Sequence, residues 1–320
     1  MPRPVLLFVP LLLALATPAF AATLLILNKE DATLQLFDPA TRTARATIPT
    51  GAGPHEVEVT ADGKLAFVGN YGTQAAAGTT LSVIDLGTSK ERARVNLGDL
   101  QRPHGLAVQR QTVYFTSEDA QQIGRYDAAA NRIDWRFATK QQRTHMVVAT
   151  RDGRLLATAN IQSDNVSLID RSTKGMQTLV AVGKGPEGLD LTPDGKQLWT
   201  ANSGDGSVSI VDLASRKLVK TFPIGTQRSN RLKFTPDGSL ALVSDLTAGE
   251  LVVIDVQTQT VKQKLRVGRG ASGLLIVPDG SRAYIAASGE NKVVIIDLKK
   301  LAIAGEIAAG RGPDGMAWVP

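Results

Sequence analysis

Between residues 22 and 320 the apolar positions never settle into a helical period. Short runs of Val, Ile, Leu and Thr alternate instead with Asp-Gly, Asn and Gly. Runs of this kind, bounded by turn residues, predict strands joined by tight hairpins. One run recurs along the chain: LQLFD ending at Asp38, LSVID at Asp85, IGRYD at Asp127, VSLID at Asp170, VSIVD at Asp212, LVVID at Asp255 and VVIID at Asp297. The spacings between these Asp residues are 47, 42, 43, 42, 43 and 42, and an insertion at 71–78 accounts for the long one. A repeat of this length made of short strands marks a propeller rather than a sandwich.

A second pattern precedes the later copies. It is a polar residue, a short apolar strand and a Pro-Asp-Gly-like turn, as in Pro186-Glu187-Gly188 before Pro193-Asp194-Gly195. Asp-Gly supplies the positive φ that a tight hairpin needs. Each unit therefore predicts four strands, A to D, placed at 186–192, 197–202, 207–212 and 217–224 in the unit that opens at Pro186. The two ends are complementary: the first unit starts directly at a strand B, 24–28, and the last residues, 312–318, form an unattached strand A. Pairing them closes a ring and removes both exposed edges. The expected fold is all-β, a seven-bladed β-propeller of four-stranded blades closed by the C-terminal strand on the N-terminal blade. It occupies 22–320 as one domain, and the protein is expected to be a monomer.

Gly185-Pro186-Glu187-Gly188, Thr192-Pro193-Asp194-Gly195, Ala201-Asn202 and Val208-Ser209-Ile210-Val211-Asp212 resemble the YVTN β-propeller repeat family, including YncE-type periplasmic propellers. The likeness covers essentially all of 22–320 and implies the fold. It implies function less directly, because activities sit on sites grafted onto a shared scaffold. The DNA binding described for YncE-type propellers raises single-stranded DNA as a partner. Propeller lactonases and propellers handling d1-type haem look similar in repeat architecture. They raise a metal- or haem-dependent enzyme as the alternative to a binding protein.

Residues 1–21 carry Arg3, an apolar stretch at 5–15 and Ala19-Phe20-Ala21, the layout of an export signal cleaved after Ala21. The stretch is too short to cross a bilayer as a helix, so a periplasmic or secreted protein without a transmembrane segment is expected. The absence of Cys excludes disulfides, thiolate metal sites and covalent haem attachment. A formal charge of +6, or +5 without Arg3, favours anionic partners but falls short of a nucleic-acid-binding arm.

The most informative position lies seven residues before the Asp of the A–B turn or its equivalent. Around the ring this slot holds His55, His104, His145, Glu187, Asn230, Ser272 and Asp314. Those are all three histidines of the chain, a coincidence of order ~10⁻⁵ under random placement, so the period is real. Imidazoles beside a carboxylate suit a divalent metal, with His55, His104, His145 and Glu187 as candidate ligands. The bland alternative is that a Pro-His-Gly repeat was duplicated. Strand alternation then puts the rings on the side of Val57 and Val59, wedged between blades. The same face gathers cations: Arg102, Arg143 and Arg228 two residues before the slot, Lys184, Arg269 and Arg311 three before it, and Arg231 just after Asn230. Such a rim would attract an anionic small molecule, an acidic protein surface or a nucleic-acid backbone, although Tyr71 is the one aromatic available there for base stacking. Asn28, Asn70, Asn160 and Asn202 at the ends of strands B, and the Asp residues ending strands C, read as turn formers. No catalytic motif such as G-x-S-x-G or HExxH is present. The expectation is a binding or interaction protein with no evident catalysis, its ligand on the face carrying His55, His104, His145, Glu187, Asn230, Asp314 and Arg102, Arg143, Arg228 and Arg231. The opposite face, with its uniform Asp-Gly turns, reads as structural.

Overall fold

The computed structural model describes residues 22–173 and 176–320; the expected export signal lies outside the described residues. Seven four-stranded antiparallel sheets form a ring, each running A-B-C-D in chain order except the first. There, Pro313–Val319 takes the place of strand A and pairs antiparallel with Thr23–Asn28, with Ile26 opposite Met316 and Thr23 opposite Val319. The expected closure of the ring is therefore what the structure shows. No helix among the described residues is long and apolar enough to cross a membrane.

Stability does not come from one central core. Seven apolar clusters each fill the wedge between two neighbouring blades. The seam of the ring is built like the rest, with Leu24, Ile26, Phe37 and Met316 packed on Tyr284, Ala286, Val293 and Ile295. In the wedge around Trp199 the indole meets Phe222 and Phe234 edge-on at centroid distances of 5.8 and 5.2 Å, the offset geometry that aromatic quadrupoles favour. The Asp residues that end strands C act as expected: Asp85 Oδ1 accepts from Thr88 N at 2.8 Å and Asp212 Oδ1 from Ser215 N at 2.7 Å.

One feature of strand A departs from simple alternation and decides where the site lies. In every blade the A–B pairing slips by one residue at the slot. In the second blade, for instance, Pro54 pairs with Asn70 but Val57 pairs with Val68. An extra residue on one strand is a β-bulge, and bulges re-aim side chains. The apolar positions after the bulge still fill the wedges, Val57 and Val59 between the first two blades and Leu106 and Val108 between the next two. The slot itself turns to the channel, which corrects the expectation that its rings are wedged between blades. The strands A also crowd at the axis. A Cβ on Gly273, just after the slot, would sit 1.9 Å from the Asp314 carbonyl oxygen.

Candidate functional site

The bulge in each strand A brings all seven slot residues to one mouth of the channel. There they line a well of about 180 Å³ together with Lys29, Tyr71, Arg143, Arg228 and Arg231. The three imidazoles stand side by side. His55 and His104 have ring centroids 4.3 Å apart at 68°, and His104 and His145 3.7 Å apart at 35°. His104 and His145 are buried; His55 stays partly open to the rim.

Each outer ring leans on a buried carboxylate. His145 Nδ1 contacts Glu118 Oε1, and His55 Nδ1 contacts Asp314 Oδ2. A carboxylate only accepts, so in the hydrogen-bonded pair His145 Nδ1 carries the proton, and in the neutral ring Nε2 keeps a free lone pair. The carboxylates are themselves held. Glu118 Oε2 accepts from Tyr71 Oη at 2.6 Å and faces Arg143 Nε at 3.4 Å, while Asp314 meets Lys29 Nζ at 2.9 Å. Burial works to raise the Glu118 carboxyl, but bonds from His145 and Tyr71 and the charge of Arg143 outweigh it and bring it down to about 2. Burial likewise opposes ionisation of Asp314, and Lys29, His55 and Arg231 hold it well below the usual carboxylate range. Tyr71 is pushed up to about 12 by burial and by Glu118, so its hydroxyl remains a donor.

The central ring has no such support. Burial, then the neighbouring His145 and His55, drives His104 well below the ordinary imidazole value, so it is neutral at physiological pH. Three ring nitrogens, His55 Nδ1, His104 Nδ1 and His145 Nε2, are buried without any hydrogen-bond partner, the first of them facing Asp314 as a close charge contact only. Ligand atoms of His104, Glu118 and His145 all lie within 4.8 Å of one another.

Beneath the rings the channel is stoppered. Arg231 is not a rim residue, as its neighbour Arg228 is. The bulge turns it into the channel, where Nη2 pairs with Glu56 Oε1 from across the ring and Nη1 bonds Asn230 Oδ1 at 3.2 Å. Asn230 Nδ2 in turn donates to Glu187 Oε1 at 2.6 Å. Glu187 thus shares the well with the imidazoles but spends one oxygen on Asn230, and the carboxylates that touch imidazoles are Glu118 and Asp314.

The basic rim is largely neutralised. Lys184 pairs with Asp164 at 2.8 Å, Arg311 with Asp31 at 2.7 Å, Arg102 with Asp119 at 3.3 Å and Arg269 with Glu290 at 3.9 Å. Among the described residues Arg228 is the rim arginine whose side chain meets no carboxylate. A hollow of about 1220 Å³ lies over the well, bordered by Lys29, His55, Tyr71, Arg102, Glu118 and Arg143. The inserted segment roofs this region. Tyr71 stacks edge-on to His55 and His104 at 5.2 and 5.5 Å, and Arg102 lies 5.0 Å over its ring and bonds the Thr73 carbonyl.

Sequence reasoning missed Glu118, Lys29 and Glu56. The first two occupy the position just after strand B, where the second blade has Tyr71, so a reading of that layer beside the slot would have found them. The Asn residues ending strands B hold local structure as expected, Asn202 Nδ2 bonding Ser207 and Ser209 hydroxyls at 2.8 and 3.0 Å.

The fold is shared with several solved structures. Hydrazine synthase from Kuenenia stuttgartiensis superposes with a TM-score of 0.76 at 18% identity, over 86% of this chain and 92% of that one. A candidate 6-phosphogluconolactonase from Bacteroides uniformis gives 0.77 at 15%, over 93% and 99%. The dihydro-haem d1 dehydrogenase NirN, in complex with DHE, gives 0.66 at 15%, over 92% and 74%. No curated relative matches the sequence. The profile of one family, described as the YNCE-like beta-propeller, matches residues 9–319, and the chain belongs to that family.

Proposed function

We propose that the protein is an exported binding propeller that captures a small polar ligand at the histidine face and performs no bond-making chemistry of its own. The observation that supports this best is the stopper. Because Arg231 and Glu56 close the channel below the rings, the face is a well with a floor, and its lining holds unused bonding capacity at His104 Nδ1 and His145 Nε2. Ser272 is the one slot residue with a hydroxyl. It is turned toward backbone, within 3.3 Å of the Pro313 carbonyl, and is not set beside a base as a nucleophile would be.

Arg228, with Lys29 and Arg143 at the mouth, suits a carboxylate or phosphate group on the ligand. A polyanion such as single-stranded DNA fits less well, because most rim cations already face acids. A tetrapyrrole of the kind seen with NirN would have to lie in the rim hollow, whose one histidine is His55. The well itself is below the roughly 300–1,000 Å³ usual for drug-sized ligands.

Thermal unfolding of wild type and His104→Ala against citrate, inorganic phosphate, a dT oligonucleotide and hemin tests the reading, since a ligand of the folded state raises Tm. At least one probe should stabilise the wild type and not the variant. A panel that treats both proteins alike refutes it. Export is checked by intact mass: secreted protein should begin at Ala22, and a secreted chain retaining residues 1–21 would contradict the signal.

A further inference from the structure

We propose that the three imidazoles form a site for a divalent transition metal ion, with His55, His104 and His145 as ligands and Glu118 and Asp314 as positioning residues. The inference rests on the histidine face being the ligand site and names what occupies the bottom of the well.

Several independent features converge on it. Neutral imidazoles are donors for zinc, copper and nickel rather than for calcium or magnesium. Two of the nitrogens concerned, on His104 and His145, are buried with nothing to bond, an uncompensated desolvation that a bound ion removes. The well of about 180 Å³ suits an ion carrying one or two small co-ligands. His145 is set by a carboxylate at Nδ1, the arrangement that fixes tautomer and ring orientation around bound metals, and His55 Nδ1 faces Asp314 as a charge contact. Those carboxylates also bring negative charge to the cluster, although Lys29, Arg143 and Arg231 stand close by. Three protein ligands leave a position open, as in zinc sites that bind an exchangeable group. Here that position faces the mouth with Arg228, where an anionic co-ligand can reach it.

Glu118, and not His55, belongs to the compact cluster with His104 and His145. His55, its ring centroid 4.3 Å from that of His104, therefore has to turn toward the other two to complete the set. One Glu118 oxygen is engaged by His145 Nδ1 and the other by Tyr71, so Glu118 is assigned to orienting His145. Loss of such a partner typically lowers metal affinity 10–100-fold, whereas loss of a ligand removes stoichiometric binding.

The experiment uses the mature protein, stripped with chelator and titrated with Zn²⁺, Cu²⁺ and Ni²⁺ by calorimetry. One equivalent of at least one ion should bind to the wild type. It should not bind to His104→Ala or His145→Ala, and Glu118→Gln should bind it about 10–100-fold more weakly. Because an alanine variant can lose its fold, the electron paramagnetic resonance of Cu²⁺-loaded wild type provides a second readout, with superhyperfine coupling to three nitrogens expected. No stoichiometric uptake, or a copper signal without nitrogen coupling, overturns the site. Loss of binding in Glu118→Gln as complete as in His145→Ala overturns the positioning role and makes Glu118 a ligand. If no metal binds while citrate or phosphate still distinguishes wild type from His104→Ala, the metal falls and the binding face stands. If neither binds, both fall.

Discussion

The stopper between the two halves of the channel gives the sharpest energetic prediction. Arg231 is buried and Glu56 nearly so, and beyond their ion pair Arg231 keeps only Asn230, through its carbonyl at 3.4 Å and Oδ1 at 3.2 Å. Burial disfavours the guanidinium charge, and Glu56, Asp314 and Glu187 more than compensate. Removing the main partner by Glu56→Ala leaves that charge in place with only part of its compensation. Breaking a buried pair from one side typically costs 3–5 kcal/mol. Because Asp314, Glu187 and Asn230 remain, the lower end applies, about 3 kcal/mol. The conservative Glu56→Gln keeps a hydrogen bond but loses the charge and should cost about 1–2 kcal/mol. The double change Glu56→Leu with Arg231→Met removes both charges and fills the same space, and should lie within about 1 kcal/mol of wild type. Urea unfolding followed by tryptophan fluorescence at pH 7 measures all four proteins, and an unchanged m-value would show that stability itself moved. If Glu56→Ala costs under 1 kcal/mol, or the double variant is as unstable as Glu56→Ala, the charge-compensation reasoning is wrong.

Three further predictions concern other parts of the ring. Gly273→Ala would force a Cβ to within 1.9 Å of the Asp314 carbonyl, and such overpacking should cost about 3 kcal/mol, read as a fall in Tm; an unchanged Tm would mean that the strands A can part at the axis. Deleting 313–320 exposes the edge of Thr23–Asn28 and the buried Leu24 and Ile26, so size-exclusion chromatography should show aggregate rather than monomer. Glu58, in the hollow of about 610 Å³ at the opposite mouth, is raised to about 7 chiefly by burial. A folded value above the unfolded one means that its ionisation costs no stability below about pH 4.5, and that stability falls as pH rises through 7. Allowing for its partial exposure, Glu58→Gln should gain about 2 kcal/mol at pH 8 and nothing at pH 4, and an equal gain at both would point to packing instead.

Legibility from sequence followed the range of each signal. Strands, turns and the closing strand are written in local chemistry repeated seven times, so the period, the Asp-ended strands C and the complementary chain ends could be read directly. The three histidines were found for the same reason. What failed was alternation. It assumes an unbroken strand, and the bulge at the slot turns the rings from the wedge to the channel and sends Arg231 inward while Arg228 stays on the rim. Pairings between loops were also hidden. Asp31, Asp119, Asp164 and Glu290 sit in the B–C turns of the same face and cancel most of the cations that the A-strand loops display.

The contrast between the rim and the well bears on what the histidines are for. Duplication of a Pro-His-Gly unit is enough to put imidazoles in equivalent slots of successive blades. It does not supply what surrounds them. Glu118 stands in a position held elsewhere by Lys29, Tyr71, Ile161, Ser203, Leu246 and Ser288, and Asp314 in a slot held nowhere else by Asp, yet each meets Nδ1 of an outer ring. Tyr71, the residue of the second blade at the same position as Glu118 and at the root of its inserted segment, then secures Glu118 and packs on two of the rings. If the rings were only fillers, apolar neighbours would pack them at lower cost. Two buried carboxylates, each needing its own cation or hydroxyl, are costly to place, and His104 Nδ1 and His145 Nε2 remain unsatisfied after all of it. A functional site is where such local expense is expected to be offset, and the offset here would be the free energy of whatever the well binds.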